Sequence, residues 1–158
     1  MKILIVFLGL LLINISFLSY HSDLDRFEKM QVTLKAAAEE AAAGAALCQD
    51  EAQYGMGFLV IDRRGAEEYV EFVAGDVERR LPSSLEAQVD YEMEIFDDEK
   101  GYDGIETHGG MEAYPAVWVR LTVHSRDLFR LPFLEKTVTK RSAIYQWDTW
   151  KEGKGGLS

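Results

Sequence analysis

The densest run of reactive side chains is Asp97-Asp98-Glu99-Lys100-Gly101-Tyr102-Asp103-Gly104-Ile105-Glu106. Closely spaced carboxylates of this kind supply the roughly six to eight oxygens that calcium takes. The spacing nevertheless departs from an EF-hand. Counting from Asp97, the sixth residue is Tyr102 where glycine is needed, and the twelfth is His108 where glutamate is needed. A solvated hairpin loop is the simpler expectation; the alternative is a membrane-anchored extracytoplasmic sensor or ligand- or metal-binding head that uses the acidic 97–112 loop, calcium being its most specific form. Gly109-Gly110 continues the loop without a phosphate-cradling spacing. His108, Glu112 and Asp103 are close enough in sequence to share a site, and small loop groups of that composition are common by chance. His124 alternates onto the same strand face as Trp118 and Arg120, so it reads as a surface or partner-facing residue. Cys48 is the only cysteine. It has no neighbouring base and lies on an apolar stripe, which points to packing. No G-x-S-x-G, H-E-x-x-H, C-x-x-C or Walker spacing occurs. The expectation is therefore no catalytic residue, no metal ligand set and no cofactor.

The composition narrows the class. A chain of 158 residues with 47% hydrophobic and 28% charged residues is a one-domain globular composition. A net charge of -10 argues against nucleic-acid binding, which needs a basic face. One cysteine precludes an internal disulfide framework. The charge is uneven: residues 62–112 hold 16 acidic and 5 basic groups, and residues 113–158 hold 4 acidic and 8 basic. These two segments can attract each other within the fold or between neighbours.

The elements that must position these residues begin with residues 3–20, ILIVFLGLLLINISFLSY. As a helix this run is about 27 Å long, close to a hydrocarbon core of ~30 Å. It reads as an uncleaved single-pass anchor at 1–22. A signal peptide with Lys2 as its basic start is the alternative, although no Ala-x-Ala site follows. Basic residues lie on both sides, and the head is expected outside the cytoplasm, at the cell membrane.

From Leu24 the apolar residues recur at helical spacing to Cys48, and AAAEEAAAGAA at 36–46 has the best intrinsic helix propensity. Residues 23–54 read as an Ala-rich helical extension ending near Tyr54-Gly55-Met56-Gly57. Its small residues permit close approach of another backbone. Leu34, Ala38, Ala41, Gly44, Ala45 and Cys48 form either the face that packs on the chain's own domain or an interface with another helix, including that of a second copy.

Residues 55–150 read as an αβ head, and 151–158 as a disordered tail. Phe58-Leu59-Val60-Ile61 is a strand or a docking segment. Ala66, Tyr69, Val70, Val73, Val77 and Leu81 predict a second helix, with Asp62 as N-cap, acids early, arginines late and Pro82 as the stop. Period-two patterns then predict strands over 87–95, 117–124 and 136–147, the last a weaker edge. Antiparallel pairing of the first two sets acids against Arg120. Phe129, Phe133, Tyr145, Trp147 and Trp150 are expected to cover the core or its edges. The fold class is α+β: a long N-terminal transmembrane and amphipathic helix, then a small head with a second helix on a three-stranded or slightly larger antiparallel sheet.

In this plan, and through residues 27–48 (FEKMQVTLKAAAEEAAAGAALC), 57–62 (GFLVID) and 128–145 (LFRLPFLEKTVTKRSAIY), the chain resembles TadE-like, pseudopilin-like proteins of tight-adherence pilus systems. The resemblance implies a minor pseudopilin or assembly factor. Its partners would be the membrane and other membrane-anchored pilus or secretion components. Typical pseudopilins carry glycine before the processing cut and glutamate five residues after it. Here Gly9 is followed by Leu10-Leu11-Leu12-Ile13-Asn14, so no clear prepilin-peptidase site is present.

Overall fold

A computed structural model describes residues 2–110, 114–126, 129 and 137–147. One helix, α1 (Lys2–Ala46), leads into a short helix α2 (Glu51–Gly55) and then α3 (Arg63–Arg80). Three strands follow: β1 (Gln88–Phe96), β2 (Ala116–His124) and β3 (Val138–Gln146). They form an antiparallel sheet in the order β1-β2-β3, so the fold is α+β. The register pairs Tyr91 with Leu121 and Leu121 with Arg141. β3 lies at an edge, as its weaker alternation suggested.

Helix α1 has two halves with opposite surroundings. Its apolar N-terminal part is bare: Ile3, Phe7, Ile13 and Leu18 are all more than half exposed. The helix is long and apolar enough to span a membrane, and no residue of its most apolar 18-residue window is buried. From Met30 onward the same helix becomes core. Leu34, Ala38, Ala41, Ala42, Ala45 and Ala46 are at most 1% exposed. They pack with Val70, Val73 and Val77 of α3 and with Val117, Val119, Leu121 and Val123 of β2. The small alanines let α3 and the sheet approach the helix backbone closely, and β-branched residues on the other elements fill the space. Among the described residues the Ala-rich segment is packed into the same core as the head.

The helix also ends earlier than its glycines suggest. It stops at Ala46, eight residues before Tyr54, because the following chain finds other hydrogen bonds. Gln49 forms an antiparallel bridge with Ile61, and Asp50 caps α2 by accepting from the N–H groups of Ala52 and Gln53. The Phe58–Ile61 run is thus a docking segment. Gly57 takes up the positive φ of 90° that the turn after α2 requires.

Asp62 is the N-cap of α3, accepting from Arg64 and Gly65 N–H. The expected early acids are displaced by one turn. Arg63 and Arg64 occupy the first turn and pair with Glu67 and Glu68 at i+4, while Arg79 and Arg80 sit in the last turn. Leu81 closes the helix before Pro82, as expected. Tail residues 151–158, together with Phe133 and Trp150, lie outside the described residues.

Candidate functional site

The outer sheet face, opposite α1 and α3, collects most of the polar candidates. Polar side chains on it are paired, and one of the pairs, Glu92–Arg120, is a cross-strand ion pair. Arg120 donates to Glu92 at 2.8 Å, His108 lies 2.8 Å from Glu94, and His124 lies 3.3 Å from Asp90. The register produces the two strand pairs, since Glu92 faces Arg120 and Asp90 lies two residues, on the same face, from the Gln88–His124 pairing; His108 reaches Glu94 from the 3-10 turn after β1. They are largely exposed pairs of the kind worth ~0–1 kcal/mol each. Arg120 also stacks its guanidinium 4.6 Å above the Trp118 ring.

The 97–110 loop folds back over one end of this face. Ile105 is fully buried with Phe96, Ala116 and Trp118, and the His108 ring lies 4.2 Å from that of Trp118. Glycine is needed at two loop positions, where Gly104 and Gly109 flank the 3-10 turn Ile105–His108 with φ of 85° and 86°. Gly110 has no room for a Cβ beside Ile105 and Ile144. The paired glycines therefore serve packing. His108 is brought to Glu94 and Trp118, and Asp103 is exposed. Glu112 lies outside the described residues.

The acidic loop uses its first two carboxylates to hold the chain together. Asp97 is 2% exposed, and its Oδ2 accepts from the N–H of Ile61 at 3.1 Å. Its Oδ1 accepts from Glu99 and Lys100 N–H at 3.1 and 2.8 Å. Asp98 accepts from Leu59 N–H at 2.8 Å and from the Tyr102 hydroxyl at 2.7 Å. The Leu59 N–H, then Tyr102, hold the Asp98 carboxyl below its ordinary value, while burial and Asp98 push the Tyr102 phenol up. Five donors thus engage the oxygens of Asp97 and Asp98. Among the described residues no group of three or more His, Cys, Asp or Glu is arranged to hold a metal ion.

The helix-face residues lie on the inside of the head. Leu34, Ala38, Ala41 and Ala45 are buried against the chain's own α3 and sheet. Gly44 lies under the ring of Tyr69, and a Cβ there would collide with it. Cys48 is partly buried and its thiol donates to Gly44 O at 3.6 Å. Burial, then the Asp62 carboxylate, push that thiol up, away from the reactive thiolate.

Two surfaces escaped the residue-by-residue reading. One is the 47–58 segment beyond the end of α1, where Leu47, Tyr54, Met56 and Phe58 are all more than half exposed. The other is a cleft of about 840 Å³ between α1 and the C-terminal end of α3, bordered by Arg26, Lys29 and Arg80. The isolated bases in the helical pattern were the only sequence signal for it, and nothing in their spacing shows that α3 brings Arg80 beside α1.

No family model, curated protein or solved structure matches the chain.

Proposed function

We propose that the chain is a non-enzymatic single-pass membrane protein of pilin-like, TadE-like plan, a component of a pilus or secretion assembly with its head outside the cytoplasm. The observation that carries this reading is the division of α1. A soluble core helix buries its apolar side chains, whereas the 18-residue apolar window of α1 has no buried residue while the continuation of the same helix is in the core of the head. An exposed apolar run of that length is stable in hydrocarbon and not in water. The head then stands rigidly on its anchor, because anchor and core share one helix. With the alanine face occupied internally, contacts with other components fall to the lipid-facing part of α1 and to exposed head residues such as Tyr54, Met56 and Phe58.

The test is made in intact cells. Alkaline carbonate extraction should leave the chain in the membrane fraction, and Glu99→Cys in a Cys48→Ala background should react with a membrane-impermeant maleimide before permeabilisation. Release by carbonate would remove the anchor. Labelling only after permeabilisation would place the head in the cytoplasm and sink the pilus reading. Photo-crosslinkers at Tyr54 and Phe58 should give discrete adducts with the chain itself or with membrane-anchored components, and their absence would remove the head-contact role.

A further inference from the structure

The cleft between α1 and the end of α3 has a chemistry unlike the rest of this acidic chain. Among the described residues its lining carries three cations, Arg26, Lys29 and Arg80, and no carboxylate. Thr33 and Ser84 add hydroxyl donors beside them, and Met30, Leu81 and Leu85 contribute apolar surface. Cations with hydroxyls are the donors that phosphate oxygens take. Apolar surface next to them suits the glycerol and upper acyl portion of an amphiphile.

We propose that this cleft binds a phosphate-bearing ligand, the headgroup of an anionic phospholipid in the membrane that holds α1. The membrane part of this proposal rests on the anchor reading above. Arg26 and Lys29 follow Tyr20 by six and nine residues on one continuous helix. That puts their Cα atoms about 9 and 14 Å beyond the apolar run. Side chains on a helix lean toward its N-terminus, so both stems point back toward the headgroup layer.

The local carboxylates do not forbid this. Lys29 pairs with Asp25, Arg80 with Asp76, and Arg26 lies 4.0 Å from Asp23. The three cationic side chains are 57–75% exposed. The Lys29–Asp25 pair is exposed on both sides and worth ~0–1 kcal/mol, so a doubly hydrogen-bonding phosphate can take its place; Asp76 is half-buried and Asp23 buried, so Arg80 and Arg26 keep those carboxylates and offer the phosphate their remaining N–H donors. The C-terminal dipole of α3 opposes an anion here, and Arg79 and Arg80 in its last turn offset it.

The experiment is thermal unfolding of the full chain in non-ionic detergent, with dihexanoyl-phosphatidylglycerol, dihexanoyl-phosphatidylcholine or inorganic phosphate added. At about ten times Kd, phosphatidylglycerol should raise Tm by roughly 3–6 °C, and phosphatidylcholine should do much less. The rise should disappear in Lys29→Gln/Arg80→Gln, whose changes lie on exposed side chains. An equal rise with inorganic phosphate would keep the phosphate site and overturn the lipid as its source. No rise with either anion, or a rise that survives the double substitution, would overturn the proposal. Carbonate extraction of the same variants reports on the anchor separately, since the apolar run is untouched.

Discussion

Gly44 of α1 lies directly beneath the aromatic ring of Tyr69 of α3, so close that a methyl group at position 44 would occupy the ring's own space. This contact joins the two helices of the head, and it converts what the sequence offers as an intermolecular helix face into an internal one. Gly44→Leu should therefore destabilise the head itself, by about 1–3 kcal/mol or more, as overpacking does. Tyr69→Ala in the same chain should recover part of that loss, giving a non-additive double-mutant cycle in thermal or denaturant unfolding. Additive effects would mean the two side chains do not meet.

Asp97 links the loop after β1 to the segment before α3. Asp97→Ala removes the acceptor of three N–H groups, including that of buried Ile61. A cost of about 1–3 kcal/mol is expected. Calcium should give neither binding heat nor a rise in Tm in the wild-type chain. A calcium-dependent Tm would show that these carboxylates are released from the backbone for a cation.

Asp98 adds an acid-dependent component. Its carboxyl is held below its ordinary value of 3.8 by the Leu59 N–H and the Tyr102 hydroxyl. The folded state then favours the carboxylate, so this stabilisation is fully present above the ordinary value and fades as pH falls through the lowered one. Asp98→Asn keeps one acceptor oxygen, puts a donor amide in place of the other and removes the titration. The stability difference between wild type and Asp98→Asn should shrink below about pH 3.8. A constant difference down to the acid transition would show that Asp98 does not titrate between those values.

Trp147, just after β3, donates its indole N–H to Ala46 O at 2.8 Å and satisfies a carbonyl at the end of α1. Trp147→Phe keeps the apolar packing and removes the donor, with an expected cost of about 1 kcal/mol. The readout is the denaturation midpoint, and hydrogen exchange should increase in the last turn of α1. An unchanged last turn would mean that water serves the carbonyl equally well.

Cys48 should be a slow thiol. Its partial burial and the nearby Asp62 carboxylate disfavour the thiolate. In the folded chain it should react with maleimide more slowly than a cysteine placed at exposed Glu99, and denaturant should bring the two rates together. Equal rates in the folded chain would show that the α1 end frays open.

Much of this architecture is legible in local sequence, because it depends on local physics. Residues 3–20 are predominantly apolar, 36–46 are helix-forming by propensity, Asp62 caps the helix that follows it, and period-two alternation marks β1 and β2. That an acid of β1 meets Arg120 is legible too, since alternation sets the face, whereas the register picks Glu92 among the acids. The Ala face remained ambiguous, because small residues pack equally well on their own domain or on another chain. Only the return of α3 across Gly44, with β2 behind it, occupies that face. The same holds for the stop at Ala46, which depends on Gln49 meeting Ile61, and for Asp97 and Asp98, whose donors lie 36 and 39 residues away. The basic cleft likewise exists only because α3 ends beside the first turns of α1 beyond the apolar run. Composition and periodicity determine which segments form and which face each must bury. Which surface meets that face, and which carboxylate is spent on a distant N–H, is decided by contacts between residues far apart in the chain, and these leave no periodic trace in it.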